Sequence, residues 1–180
     1  MQYRKTMVMC ALGAMAVMPF AQASAVERGM EPSVALMGGV VSPDLSDASS
    51  DGAYGVEIGA NCQLFQPATG VLRHHLSVSR YSDDPLKMTS AEVNSHWMFE
   101  PNERLSLGFG PGIGYVRAKL DDDTNGLWAA QVGGSLKYQL DQQWFLGLEA
   151  RYQFTESDRF DGRRADADNM RVMGKVGMQF

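Results

Sequence analysis

The stretch WFLGLEARYQF, residues 144–154, decides the fold, because its side chains alternate between two chemical classes. Every second residue from Trp144 to Phe154 is apolar, and from Gly147 onward the opposite positions carry glycine, glutamate, arginine and glutamine. A period of two is that of a β-strand, whose successive side chains point to opposite faces. The stretch therefore predicts a strand with one apolar face and one charged face.

The same alternation recurs in seven further segments of residues 26–180, and no convincing apolar period of 3.6 residues, which would indicate helices, competes with it. The further segments are 33–42, 54–65, 70–81, 88–99, 104–115, 127–140 and 170–180. Most are longer than the ~5–6 residues of ordinary strands and fit the ~9–11 residues of a transmembrane strand. We therefore expect one domain of eight strands over residues 26–180.

Alternation alone leaves two architectures open, because the apolar face packs inward in a soluble sandwich but faces lipid in a membrane barrel. Two further features favour the barrel. Short predicted connections alternate with longer, Asp-rich ones, as expected for short periplasmic turns and longer external loops. The short connections are 66–70, 100–103 and 141–143, and the others are 42–53, 82–87, 121–126 and 155–168.

The second feature is the height of the aromatic residues along the predicted strands, which form two belts such as those at membrane interfaces. One belt comprises Phe65, Trp97, Phe99, Trp144 and Phe180, and the other comprises Tyr54, Tyr115, Trp128, Tyr152 and Phe154. A soluble sandwich has no reason to segregate its aromatic residues in this way.

The last strand, MRVMGKVGMQF at 170–180, resembles the C-terminal signal of bacterial outer-membrane proteins, with Val176, Met178 and Phe180 on one face. With residues 105–115 and 146–152, it makes the chain similar to the OmpA/OmpX-like outer membrane protein β-barrel domain family. The resemblance implies an all-β, eight-stranded antiparallel up-and-down transmembrane β-barrel with both termini periplasmic. It also implies outer-membrane lipid and lipopolysaccharide as surroundings, and the barrel-assembly machinery as a partner during biogenesis.

Residues 1–25 predict a signal peptide, with Arg4 and Lys5 before an apolar run at 6–18. Small-residue cleavage sites end at Ala23 and at Ala25, and we favour cleavage after Ala25. A retained anchor is disfavoured because the run is shorter than the ~20 residues of a spanning helix. Removal of this leader leaves one cysteine, Cys62, so no internal disulfide is expected.

The chain is acidic, with 16 Lys+Arg against 21 Asp+Glu and a net charge of −5, which argues against nucleic-acid binding. No cofactor or metal is expected either. The stretch DDDTNG at 121–126 imitates the start of a calcium loop but has Val132 where the bidentate glutamate belongs. Asn125-Gly126 more simply predicts a tight hairpin turn.

Nine charged residues are predicted to face the lumen. They are Glu57, Arg73, Glu92, Arg104, Lys137, Glu149, Arg151, Arg171 and Lys175. The interior of an eight-stranded barrel is only wide enough for side chains to fill it, so we expect a buried, paired network. A narrow small-solute channel stays an alternative, and the glycines at 108, 110, 112 and 114 suggest some lumen volume beside their strand.

His75 and Ser77 carry the alternative of an esterase, because lipid A 3-O-deacylases, also eight-stranded barrels, use a His-x-Ser pair with an acid. In that family the pair lies on a late strand, and the corresponding residues here, 151–153, carry neither His nor Ser. His75 and Ser77 are predicted on the lumen face, away from an acyl substrate, so we expect no catalysis.

The last connection carries Arg159, Arg163 and Arg164 among several aspartates. These arginines either pair with lipopolysaccharide phosphates or balance the neighbouring acids. We expect a structural or surface-interaction role, in envelope integrity or adhesion, and the sequence leaves the surface ligand open.

Overall fold

The computed structural model describes residues 29–44, 49–65, 67–83, 86–120, 123–156, 158–160, 163–165 and 167–180. For residues 120, 123, 158–160 and 163–165 the description covers the backbone alone. The predicted signal peptide, residues 1–25, lies outside the described residues.

Eight long strands and one short hairpin make up the fold. The barrel strands are β1 (Ser33–Pro43), β2 (Asp51–Asn61), β3 (Val71–Asp83), β4 (Leu86–Phe99), β5 (Leu105–Leu120), β6 (Asp123–Gln139), β7 (Trp144–Thr155) and β10 (Asn169–Gln179). Strands β8 (Asp158–Phe160) and β9 (Arg163–Ala165) form a separate hairpin within the connection between β7 and β10.

The eight long strands close into one barrel in which each pairs antiparallel with its neighbours in the chain. Strand β1 also pairs with β10, from Ser33 opposite Gln179 to Pro43 opposite Asn169. Every barrel strand therefore has a partner on both sides, which removes the unpaired edge that an open sheet exposes. The predicted eight-stranded up-and-down barrel is confirmed.

The barrel turns its apolar face outward, as the sequence predicts. Val56, Val132 and Leu148 are 50, 54 and 51% exposed, whereas Glu57 and Glu149 are 5 and 2% exposed. A soluble sandwich would have the opposite arrangement. Such a continuous apolar exterior is suited to lipid and is rare on soluble monomers.

Exposed aromatic side chains lie toward both ends of the barrel. At the outer end, which carries the connections after β1, β3, β5 and β7, Tyr115 packs edge-on against Trp128 with ring centroids 5.5 Å apart. At the inner end, Trp144 and Phe180 are exposed. The two groups correspond to the two predicted belts.

Two of the predicted outer connections are wrong. Strands β3 and β4 are separated by residues 84–85 alone, and β5 and β6 by residues 121–122, so most of 82–87 and 121–126 is paired strand. Asn125 and Gly126 lie opposite Ala118 and Arg117 rather than in a turn.

Burial explains why pairing continues beyond the predicted strand ends. Leu86, Val116 and Leu127 are almost fully buried inside the outer parts of these hairpins. Their neighbours in the chain, such as Lys87 and Arg117, are exposed on the outside. The alternation therefore continues with reversed sense, since apolar residues now face inward. Among the described residues, no helix is long and apolar enough to cross a bilayer.

Candidate functional site: the barrel lumen

Six buried charged residues, called here the charge cluster, fill the middle of the lumen. They are Glu57, Glu92, Glu149, Arg151, Arg171 and Lys175, and each is at most 8% exposed. The cluster contains three carboxylates and three cations, contributed by β2, β4, β7 and β10. It therefore carries no net charge, which is the condition under which buried charges are tolerated.

Glu92 on β4 is the common acceptor of two arginines. Arg171 donates to it through both terminal nitrogens, Nη1 to Oε1 at 2.7 Å and Nη2 to Oε2 at 2.5 Å. Arg151 donates from Nη1 to Oε2 at 2.9 Å. The bidentate geometry with Arg171 is the stronger form of this interaction. Because β4 and β10 lie on opposite sides of the closed barrel, the pair spans the lumen.

Lys175 joins the other two carboxylates. Its Nζ lies 2.5 Å from Glu57 Oε2 and 2.7 Å from Glu149 Oε2. Arg151 Nη2 lies 2.5 Å from the same oxygen of Glu149. The six residues thus form one continuous set of ion pairs rather than three separate ones.

The remaining predicted lumen cations lie away from this cluster. Arg73 is buried toward the inner end and donates to Asn61 Oδ1 at 2.8 Å and to Ser33 Oγ at 2.6 Å. Lys137 is half-buried, hydrogen-bonds the side chain of Gln179, and lies 5.1 Å from the ring centroid of Phe145.

Arg104 does not face the lumen, which corrects the prediction. It lies exposed in the turn before β5. The side chain of Asn102 accepts hydrogen bonds from the backbone amides of Arg104 and Leu105, both at 3.0 Å. After this capped turn β5 begins at Leu105, one residue later than the sequence pattern indicates, so Arg104 never enters the barrel.

Ten buried, mainly apolar residues, called here the apolar plug, fill the lumen on the outer side of the charge cluster. They are Val41, Ala53, Tyr81, Leu86, Met88, Val116, Ala118, Leu127, Ala129 and Ala167. Met37 and Met173 continue this apolar packing alongside the charges. Tyr81 donates its hydroxyl to the carbonyl of Ser49 at 2.6 Å.

Alternation along the strands does not by itself predict the apolar plug. One signal for it was present: on β4, apolar residues occupy the positions 86 and 88, on the same face as Glu92. The plug can be predicted if one face of a strand is allowed to be apolar at one end and charged at the other.

The glycines of β5 do not leave an empty space, which corrects the expectation of lumen volume there. A Cβ atom at Gly112 would lie 1.7 Å from Asn94 Oδ1, and one at Gly108 would lie 2.3 Å from Met98 Sδ. The absent side chains make room for the side chains of β4. A cavity of about 20 Å³ lies toward the inner end, lined by Arg73, Lys137 and Lys175 among others, and it has room for about one water.

His75 and Ser77 both lie buried inside the barrel. His75 Nδ1 lies 3.0 Å from Glu57 Oε1, and its ring centroid lies 5.2 Å from that of His96. His75 Nε2 has no hydrogen-bond partner in the described part of the chain, so it is not bonded to Ser77. The histidine and the carboxylate are therefore paired as in a catalytic triad, but Ser77 is not hydrogen-bonded to the histidine.

The other predicted site residues are placed as follows. Val176 and Phe180 face outward at the inner end, and the amide of Phe180 donates to the carbonyl of Pro32 at 2.8 Å. Met178 lies half-buried beside them. The side chains of Arg159, Arg163 and Arg164, and all of Asp121 and Asp122, lie outside the described residues. Among the residues whose side chains are described, no group of three or more potential metal ligands occurs.

Solved structures with the same fold are outer-membrane proteins. The attachment invasion locus protein Ail of Yersinia pestis matches with a TM-score of 0.54 and 14% identity, over 85% of this chain and 100% of that one. Neisserial surface protein A matches with a TM-score of 0.55 and 15% identity, over 84% and 96%. The N-terminal barrel domain of Pseudomonas aeruginosa OprF gives 0.54 and 17%, over 85% and 100%. No curated protein matches the sequence significantly.

At these identities the solved structures establish the fold alone. The family model of the outer membrane protein beta-barrel domain matches residues 7–180, nearly the whole chain. Together with the closed barrel and its apolar exterior, this match places the protein in the outer membrane, surrounded by its lipids. The chain belongs to the outer membrane protein beta-barrel domain family.

Proposed function

We propose that the protein is a non-conducting outer-membrane barrel that acts in envelope integrity or in surface interactions such as adhesion. The observation that carries the first part is the ion pair between Arg171 and Glu92. It crosses the lumen between opposite strands, and Arg151 and Glu149 fill the space beside it. The apolar plug then covers the cluster on its outer side.

Planar-bilayer recording tests whether the lumen is closed. The wild-type protein is expected to give no steady conductance, because both layers obstruct the path of a hydrated ion. A combined variant, Arg151→Ala with Arg171→Ala and Leu127→Ala, removes side chains from both layers and serves as the positive control. Large, stable openings of the wild-type protein would refute the proposal in favour of a small-solute channel.

The surface role is supported by the outer connections and by the names of two similar structures. The connection after β7 holds a separate hairpin, β8–β9, with three arginines and several aspartates. Ail is an attachment invasion locus protein, and the Neisserial protein is a surface protein. Adhesion of bacteria that display the chain, compared with a variant in which residues 157–166 are replaced by a short Gly-Ser linker, tests this role. Equal adhesion by both strains would count against the hairpin.

We extend the proposal to two sets of residues with separate partners. Arg159, Arg163 and Arg164 of the last connection contact lipopolysaccharide phosphates. Val176, Met178 and Phe180 present the C-terminal signal to the barrel-assembly machinery, and deletion of Phe180 is expected to lower the fraction of folded protein in outer membranes. Unheated gel mobility measures that fraction, and an unchanged folded fraction would contradict the assignment.

The proposal includes no catalysis. His75 and Ser77 face the filled lumen, whereas an acyl chain in the membrane contacts the opposite face of β3. Incubation of the purified protein with lipid A is therefore expected to release no acyl chain. Release that is lost in the Ser77→Ala variant would establish the alternative, a lipid A-modifying hydrolase.

A further inference from the structure

A group of cations lies on the outside of the barrel, on three adjacent strands near the outer end. It comprises Arg80 on β3, Lys87 on β4, and Arg117 and Lys119 on β5, and is called here the outer basic patch. Arg80 is opposite Thr89, which is in turn opposite Arg117, and Lys87 is opposite Lys119. All four side chains are exposed, and strict alternation points them away from the barrel axis.

The patch begins where the lipid-facing surface ends. Arg80 follows Val78 by two residues on the outward face of β3, and Arg117 follows Tyr115 by two residues on β5. Tyr115 belongs to the outer aromatic group and packs against Trp128. Because such aromatic belts lie at the level of the lipid headgroups, the cations lie at that level and just beyond it.

Arg80, Arg117 and Lys119 form no ion pair or hydrogen bond through their side chains with any residue that the structure describes. None of the described outward positions opposite them is acidic: Tyr54 lies beside Arg80, Gly126 beside Arg117, and Thr124 and Lys87 beside Lys119. This contrasts with the charge cluster, in which every cation contacts a carboxylate. Three cations without a partner among the described residues, in a chain of net charge −5, leave their charge available to an anion from outside the chain.

We propose that the outer basic patch binds the phosphate groups of lipopolysaccharide in the surrounding outer leaflet. Arginine presents a fork of donors that matches phosphate oxygens in bidentate fashion. Arg80 and Arg117 are separated by one strand, so their Cα atoms lie about 10 Å apart, and their side chains can reach one phosphorylated headgroup. The patch faces sideways into the leaflet rather than upward into the medium, which favours a lipid over a soluble polyanion. This site is separate from Arg159, Arg163 and Arg164.

Binding of diphosphoryl lipid A to the immobilised, detergent-solubilised protein tests the proposal. The triple variant Arg80→Gln, Arg117→Gln, Lys119→Gln is expected to bind at least tenfold more weakly than wild type, at about fivefold per cation near a charged lipid surface. Arg104→Gln, which removes an exposed cation from the inner end, is the control and is expected to bind as wild type does. The triple variant Arg159→Gln, Arg163→Gln, Arg164→Gln separates this site from the last connection.

Two results would overturn the proposal. One is equal binding of diphosphoryl lipid A by wild type and the patch variant. The other is loss, in the patch variant, of binding to a soluble sulfated oligosaccharide while lipid A binding is retained, which would assign the patch to a soluble polyanion. Mobility on an unheated gel verifies that each variant is folded. If the patch variant does not fold, the wild-type protein is tested with dephosphorylated lipid A instead. This lipid is expected to bind at least tenfold more weakly than the diphosphoryl form. Equal binding of the two lipids would refute the site.

Discussion

The barrel wall below the outer aromatic group differs from the hairpins above it in the direction of its apolar side chains. In both regions side chains alternate between inside and outside, but the apolar ones face outward in the wall and inward in the hairpins. In the lower region Val56 and Leu148 face outward, and the charge cluster lies inside. In the upper region Lys87 and Arg117 face outward, and Leu86 and Leu127 lie inside. The change occurs just beyond the outer aromatic group, the level at which aromatic belts mark the passage from lipid chains to headgroups and water.

The difference shows that the medium outside determines how the interior is held together. Where polar headgroups and water surround the wall, apolar residues gain by facing inward, and the apolar plug is an ordinary hydrophobic core. Where lipid surrounds the wall, apolar residues gain nothing by facing inward, and paired charges fill the lumen instead. The same short barrel is therefore closed by two kinds of interaction, which substitutions can separate.

The largest expected effect is that of Glu92→Gln in the charge cluster. The substitution keeps the shape but removes the carboxylate shared by Arg151 and Arg171, leaving excess buried positive charge. Breaking a buried pair in this way costs about 3–5 kcal/mol. Urea unfolding of the protein in bilayers, followed by tryptophan fluorescence, measures the change. Glu156→Gln, at an exposed acid, is the control, and a similarly small change for both variants would mean that the cluster does not stabilise the barrel.

Leu127→Ala tests the apolar plug by the same measurement. Leu127 is 1% exposed, and its truncation leaves a cavity that costs about 2–4 kcal/mol. Leu148→Ala is the matched control, because lipid chains can fill the space left on the outside. Equal losses of stability for the two variants would contradict the distinction between the plug and the lipid-facing wall.

The smallest expected effect concerns a turn in water, outside both regions. Asp141 Oδ1 accepts hydrogen bonds from the amides of Trp144 at 2.7 Å and Gln143 at 2.8 Å. These two bonds lower the pKa of the Asp141 carboxyl below its ordinary value. The stabilisation is therefore complete above the pKa of an unfolded aspartate, near 4, and is lost as pH falls through the lower native pKa.

Asp141→Ala is accordingly expected to lower the thermal midpoint slightly at neutral pH, with a difference from wild type that shrinks in acid. Samples are brought to increasing temperatures and run on a gel without boiling. The midpoint is the temperature at which half of the folded-protein band is lost. Asp141→Asn, which keeps an acceptor but does not titrate, is the control. A difference that stays constant from neutral to acid pH would show that the carboxylate is not responsible.

Much of the fold could be predicted from the sequence, because alternation at positions such as 144–154 directly reports two different environments. The odd or even position of a residue along its strand is enough to predict the lipid-facing residues and most of the lumen charges. The two extended hairpins could not be predicted in this way. Lys87, Arg117 and Asn125 look like loop residues when one face is assumed apolar throughout, although they continue the strands.

The pairing inside the lumen also lay beyond the sequence. Alternation places Glu92 and Arg171 inside, and the strand order places β4 opposite β10. Neither gives the shear of the barrel, which sets the heights of residues on opposite strands and so decides that these two side chains meet. The glycines of β5 were ambiguous for the same reason, since a missing side chain indicates either empty space or, as Asn94 shows, a neighbour that fills it.

Methyl NMR of the protein in lipid nanodiscs, with a paramagnetic label carried on the lipid acyl chains, tests the central claim most directly. We expect strong broadening of the methyl signals of Val56, Leu107, Val132 and Leu148, and sharp signals from Leu127 and Met173 inside the barrel. The reverse pattern, with Leu127 and Met173 broadened and the other four sharp, would contradict it.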